Sequence, residues 1–163
     1  EAKGITPNKL TVCVLDRPRH NQIISSLKKM NVSLKLITDG DVSGVMCIVD
    51  KNSPVDMYMG IGGGPEGVLA AAALSCYGAQ IQTRLVLDSE ESIRAKEMGI
   101  NDLKKKYNID DMVKGDVIFC ATGVTSGDLA KGVKDLGNEF EVNTFVLHKS
   151  QKIIKSVTNI YNK

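Results

Sequence analysis

The sequence predicts an α/β fold: a largely parallel or mixed sheet with helices on both faces and a C-terminal antiparallel hairpin, in a single domain over 1–163. Three observations carry that expectation. Short apolar, β-branched runs alternate with stretches of helical spacing; a glycine-rich turn separates one such run from an alanine-rich segment; and residues 140–160 alternate with period two about a polar centre. A chain of 163 residues is long enough to bury a sizeable core.

Leu10 to Leu15 reads as the first strand and ends in Asp16-Arg17-Pro18-Arg19-His20. Ile23, Ile24, Leu27 and Met30 then recur at helical spacing, so Asn21 to Met30 is a helix that His20 begins. Val32 to Ile37 alternates as a second strand and stops at Thr38-Asp39-Gly40-Asp41. Val42 to Val49 is apolar with Gly44 inside it, a pattern that leaves helix and strand open. Asn52-Ser53-Pro54 breaks the chain before a short strand at Val55. Past the glycines, Pro65 and Glu66 suit a first helical turn, where a missing N–H costs nothing and the dipole favours a carboxylate. That helix starts near Pro65 and is capped at Gly78. Ile81 to Leu87 is the next strand, and Asp88-Ser89-Glu90-Glu91 opens a polar helical stretch to about Tyr107 with a break at Gly99. Val117 to Ala121 is a further strand, whose loop Thr122 to Asp128 leads into a helix through Leu136. Phe140 to Lys149 and Lys152 to Ile160 form the closing hairpin.

Composition narrows the function classes. Charged residues make up 25% with a net charge of +2 and no long single-sign block, so nothing calls for nucleic acid or a membrane surface. Aromatics at 4% and the absence of Trp also argue against base-stacking platforms. The four cysteines are widely spaced in apolar stretches without a CxxC pair, which reads as reduced thiols of a cytoplasmic protein. The longest apolar run falls far short of the ~20 residues a membrane span needs, and no signal peptide is visible. A first residue that is Glu1 rather than Met suggests a fragment or processed product.

Four strands end in polar or glycine-rich loops: 16–19, 39–41, 60–67 and 122–128. Ligands of open α/β sheets bind outside the carboxyl ends of strands, so the four loops are expected to line one crevice. Arg17 and Arg19 offer a phosphate fork, Asp39 and Asp41 carboxylates for a metal or sugar hydroxyls, and the glycine loop backbone donors that positive φ would expose. Glu66 would repel a phosphate unless a cation lay between them, which points to a metal-bridged phosphate and a phosphorylated polyol. Blander readings stand beside these. The arginines also fit a solvated surface, Asp39-Gly40-Asp41 a simple turn, and Thr125 and Ser126 helix caps; His20 is given no catalytic part. Gly62 to Gly67 also matches a dinucleotide-binding G-x-G-x-x-G, with Asp88 where a ribose-binding acid would stand. That alternative leaves the other three loops without a task and puts Glu66 beside a pyrophosphate.

VCVLDRPRH at 12–20, LITDGDVSG at 36–44, MGIGGGPEGVLAAAAL at 59–74 and DVIFCATGVTSGDLAKGV at 116–133 together resemble the C-terminal half of the class II, bacterial-type fructose-1,6-bisphosphatases. The resemblance covers nearly the whole chain in the same motif order. It implies hydrolysis of the 1-phosphate of fructose 1,6-bisphosphate in gluconeogenesis with Mg²⁺ or Mn²⁺, and in some relatives also of sedoheptulose 1,7-bisphosphate. Glu66 matches the family's metal ligand and Gly63 a substrate-contacting backbone position; Gly123 and Thr125 are matched only to its neighbourhood. Arg17, Pro18 and Arg19 match the segment holding the distal phosphate, and Asp39, Gly40 and Asp41 the segment meeting the sugar hydroxyls. Gly64 departs slightly, since relatives often carry Ala there. The family's other metal carboxylates and a substrate-binding tyrosine belong to an N-terminal half absent from this chain. The expected partners are therefore a sugar bisphosphate, that missing half, and further copies in a homo-oligomer. The isolated chain is expected to be inactive, and a sugar-phosphate-binding module without turnover is a further alternative.

Overall fold

The computed structural model describes residues 4–163. Strands β1 (Thr11–Leu15), β2 (Ser33–Ile37) and β3 (Met57–Tyr58) form a parallel sheet in the order β2-β1-β3. β1 pairs along its whole length with β2, from Thr11 opposite Ser33 to Leu15 opposite Ile37, while β3 pairs only through Val12–Met57 and Cys13–Tyr58. Its side chains alternate between two cores. Val12 and Val14 pack on Ile24 and Leu27 of helix α1 (Asn21–Lys29). Cys13 faces the other way, onto Cys47 and Val55 beside helix α2 (Asp41–Met46). Helices thus cover both faces of this sheet, as expected. The undecided segment after Asp41 is helical because Gly40, at φ 83°, turns the chain into α2 as its N-cap.

Helix α3 (Gly64–Ser75) begins where Pro65 and Glu66 placed it. Its alanines let it lie close to neighbours on two sides. Ala70 and Leu74 pack with Val45 of α2, and Ala73 joins Met46, Phe119 and Leu147 in a core shared with a second sheet. That sheet is antiparallel: β6 (Ile118–Thr122), β7 (Lys134–Asp135) and β9 (Ile153–Asn162) all pair with β8 (Glu139–His148). The layers run α1, parallel sheet, α2 with α3, antiparallel sheet. Beyond them lie a short antiparallel pair, β4 (Thr83–Arg84) with β5 (Lys106–Tyr107), and helices α4 (Ser89–Glu97) and α5 (Ile109–Met112).

The α/β class holds, with several corrections of detail. β6 pairs antiparallel with β8, so the hairpin is the body of a separate sheet rather than the edge of the parallel one. The strand expected over 81–87 shrinks to two residues. The polar helix stops at Glu97, where Gly99 takes φ 87°, and its continuation to Tyr107 is a turn followed by β5. The helix expected to follow Asp128 is absent. There the chain folds on itself: Gly127 N–H donates to the Ala130 carbonyl at 3.0 Å, and Gly132 N–H donates to Ser126 Oγ at 3.0 Å. A Cβ on Gly132 would stand 2.7 Å from Ser126 N, and one on Gly123 would collide with the Lys131 carbonyl, so two glycines close the loop that propensity read as helix. Ser126 therefore ties this loop instead of capping a helix.

Leu147 is 0% exposed and joins β8 to α3. Leu147→Ala is expected to cost about 2–5 kcal/mol, read as a lower urea midpoint with an unchanged slope in chemical unfolding.

Candidate functional site

Because β1, β2 and β3 run parallel, their carboxyl ends meet at one edge. Asp16 N–H donates to the Ile37 carbonyl at 2.8 Å, tying the loop after β1 to the end of β2, and Met59 N–H donates to the Cys13 carbonyl at 3.0 Å. The predicted loops 16–19, 39–41 and 60–67 are therefore neighbours.

In the first loop, Pro18 to His20 form a 3-10 turn that lifts Arg17, Pro18 and Arg19 to the surface. Arg19 Nε donates to the Ile61 carbonyl at 2.7 Å, which leaves the terminal guanidinium nitrogens as further donors in a planar fork. His20 does begin α1, but its side chain makes no cap bond. It is 0% exposed, with Nδ1 2.8 Å from the Leu15 carbonyl and Nε2 2.8 Å from the Ile61 N–H. Nε2 also lies 3.0 Å from the Ile61 carbonyl, but its shorter contact is with the Ile61 N–H, which can only donate, whereas Nδ1 faces a carbonyl alone; this favours the tautomer with the proton on Nδ1 and Nε2 accepting from Ile61. Sequence reading gave His20 nothing beyond a helix start; full burial with both ring nitrogens engaged is a property of the fold.

In the second loop, Gly40 N–H donates to Asp39 Oδ1 and Ser43 Oγ–H to the Gly40 carbonyl, at 2.8 and 2.9 Å. Asp41 is half-buried, and its Oδ2 would lie 3.3 Å from a Cβ on Gly62. Tyr58 closes the floor. Gly44 makes room for it, since a Cβ there would stand 2.9 Å from Tyr58 Cε2. Burial, then the nearby Asp41 carboxylate, push the Tyr58 phenol up to about 12, with Arg19 opposing. Tyr58 remains a protonated donor at neutral pH. It was missed in the sequence, where the only signal is a tyrosine two residues before the loop.

The glycine loop works differently from expectation. None of the glycines from 60 to 67 adopts positive φ. Their lack of a side chain matters sterically instead. A Cβ on Gly60 would sit 3.1 Å from the Tyr58 hydroxyl, and one on Gly63 would collide with the Glu66 carboxylate, which folds back over the N-cap of α3. Gly63 and Glu66 are thus adjacent at one exposed helix end. The fourth loop meets the parallel sheet at β2, where Asp128 approaches Lys35 Nζ to 4.0 Å. The contacts uniting the other three loops run through Ile61, Asp41 and Tyr58.

Among the described residues, no group of three or more His, Cys, Asp or Glu side chains is placed to hold a metal ion. Glu66 supplies one donor at the loop and does not by itself enclose a cation. Asp88, the ribose-binding candidate of the dinucleotide alternative, is committed elsewhere: its Oδ1 accepts from Glu91 N–H at 2.8 Å in the capping box of α4. A cleft of about 590 Å³ lies at the other end of α3, lined in part by Ser75, Gly78, Asn108 and Lys149. The four cysteines are free thiols, as expected.

A Ser-His-Asp grouping also occurs at the far end of β8. Ser150 Oγ and His148 Nε2 both bond Asp116 Oδ2, and stand 3.4 Å from each other. Serine and imidazole share one acceptor, so no base faces the hydroxyl and the cluster serves to lock a turn. The Ser150 hydroxyl, then His148, hold the Asp116 carboxyl well below the usual carboxylate range.

The family described as bacterial fructose-1,6-bisphosphatase, glpX-encoded, matches residues 1–161, and the chain belongs to that family. Two Synechococcus proteins named D-fructose 1,6-bisphosphatase class 2/sedoheptulose 1,7-bisphosphatase are 38% identical to it over 94% of this chain and 48% of their own length. A Trichodesmium erythraeum protein of the same name is 34% identical with the same coverage. The chain spans about half the length of the curated relatives it matches.

Two outcomes follow from the perturbed groups. In an ultraviolet titration, Tyr58→Phe is expected to remove a tyrosine that ionises near 12, leaving the lower part of the curve unchanged. The lowered Asp116 value means that its stabilisation is complete above the ordinary carboxylate range and lost as pH falls toward the folded value. Asp116→Asn should therefore lower Tm at pH ~7 and leave a smaller difference near pH ~3.

Proposed function

We propose that this chain is the C-terminal half of a sugar bisphosphatase that hydrolyses the 1-phosphate of fructose 1,6-bisphosphate, and that it also serves sedoheptulose 1,7-bisphosphate, the second substrate named for its relatives. The observation that carries the reading is the meeting of Arg19, Asp41 and the Glu66-bearing glycine loop around Ile61 to Gly63 at the strand ends. A bisphosphate needs an anchor for one phosphate, hydroxyl acceptors in between, and a separate place for the phosphate that reacts. Arg17, Pro18 and Arg19 are assigned the distal phosphate, Asp39, Gly40 and Asp41 the sugar hydroxyls, and the Gly63 backbone the reacting end.

Glu66 is assigned as this chain's ligand to Mg²⁺ or Mn²⁺. With one carboxylate at the loop, the remaining donors are assigned to the N-terminal half of the protein, and the isolated chain is proposed to lack turnover. The setting proposed is gluconeogenesis in the cytoplasm, in a homo-oligomer.

Phosphate release from fructose 1,6-bisphosphate with Mn²⁺ or Mg²⁺ tests this, comparing the chain with a protein extended to the full N-terminal half. Activity is expected only in the extended protein. There Glu66→Gln should reduce turnover on the order of 10²-fold, by misplacing the reacting end. Arg19→Ala should chiefly raise KM, by about 10- to 100-fold for a lost charge-assisted pair. A folded extended protein that binds the sugar phosphate without releasing phosphate would instead leave a binding module.

A further inference from the structure

We propose that His20 is a positioning residue that sets the spacing between the phosphate-anchoring loop and the glycine loop, an inference that rests on the function proposed above. Its ring bridges the end of β1 at Leu15 to the peptide of Ile61, and the two bonds run from opposite nitrogens of a rigid ring. Arg19 holds the same residue through the Ile61 carbonyl, which belongs to the next peptide group. One residue of the glycine loop, Ile61, is thus held by two adjacent residues of the arginine loop: its N–H donates to His20 Nε2, and its carbonyl accepts from Arg19 Nε and lies 3.0 Å from His20 Nε2. Ile61 lies two residues before Gly63 and five before Glu66, so whatever fixes its backbone fixes the entry to α3.

This arrangement assigns each contact a distinct task. Arg19 spends Nε on the loop and keeps its terminal nitrogens for an anion, a division that lysine cannot make. His20 is fully buried and touches no substrate; it acts through Ile61. The ladder between β3 and β1 ends at Tyr58, so past Met59 the ring is a principal tie holding the glycine loop to β1. A ligand held by the arginine loop alone does not depend on the distance between the loops. A bisphosphate that must be gripped at both ends does, because small misplacements of a reacting group reduce turnover steeply.

The test uses the full-length holoenzyme with His20→Ala and His20→Gln, a side chain that still offers one donor and one acceptor. For His20→Ala, kcat on fructose 1,6-bisphosphate is expected to fall at least about ten-fold. The inhibition constant of fructose 6-phosphate, which keeps only the phosphate assigned to the arginine loop, should stay within two-fold. His20→Gln should recover part of the loss. Unchanged kcat in a folded His20→Ala protein, or an equal weakening of fructose 6-phosphate, would overturn the proposal while leaving the phosphatase reading intact. A wild-type protein without bisphosphatase activity would take down that reading and this one with it. Should His20→Ala fail to fold, nitrogen-15 spectra of the wild-type ring decide: a neutral imidazole protonated at Nδ1 is expected, and a ring protonated at Nε2 alone would overturn the assignment.

Discussion

The structure depends on the burial of β1. Val12, Cys13, Val14 and Leu15 are between 0 and 2% exposed; all four pair with β2, and Val12 and Cys13 pair with β3 as well. A strand so enclosed cannot change register without moving its side chains to the wrong core. Its fixed position in turn fixes β2 and β3, and with them the single edge at which the three loops emerge. The candidate site residues are thus exposed or half-buried groups standing on a buried support, the general arrangement of sites in parallel sheets.

What the loops add is close approach. Arg19 and His20 converge on one residue, Ile61, Asp41 lies against Gly62, Tyr58 lies under Gly60, and Glu66 folds over Gly63. Each of these contacts places a side chain where a Cβ would otherwise stand or uses a backbone group as partner. The loop is rich in glycine to admit its neighbours, not to adopt unusual dihedrals. Tyr58 shows the electrostatic side of the same crowding: a half-buried phenol beside a carboxylate keeps its proton and stays a donor.

Much of this was legible in sequence wherever one local signal governed the outcome. Proline and glutamate after the glycines located α3, the apolar spacing of Ile24 and Leu27 located α1, and strict alternation located the long hairpin of β8 and β9. The three linked loops at the sheet edge were legible too, since each follows a strand. Failures came where partners distant in sequence decide. Nothing in Val117 to Ala121 says that it pairs antiparallel with residues 144–148, and Gly132 closing onto Ser126 is invisible to a reading that scores helix propensity residue by residue. His20 and Tyr58 escaped for the same reason: their partners lie 41 residues away for the histidine, or across a helix for the tyrosine.

The brevity of β3 has a consequence for motion. Only Met57 and Tyr58 join the ladder, and residues 59–64 beyond them are exposed. Free energies of local opening follow the number of buried contacts and paired backbone groups, so this segment belongs to the low-stability end of the molecule although it adjoins one of its most buried strands. Between Met59 and Gly64, loosening would first require breaking the Met59 N–H to Cys13 carbonyl bond and the His20 and Arg19 contacts at Ile61, none of which belongs to the cores around Val14 and Leu74. Any ordering of so short a segment costs conformational entropy confined to a few residues.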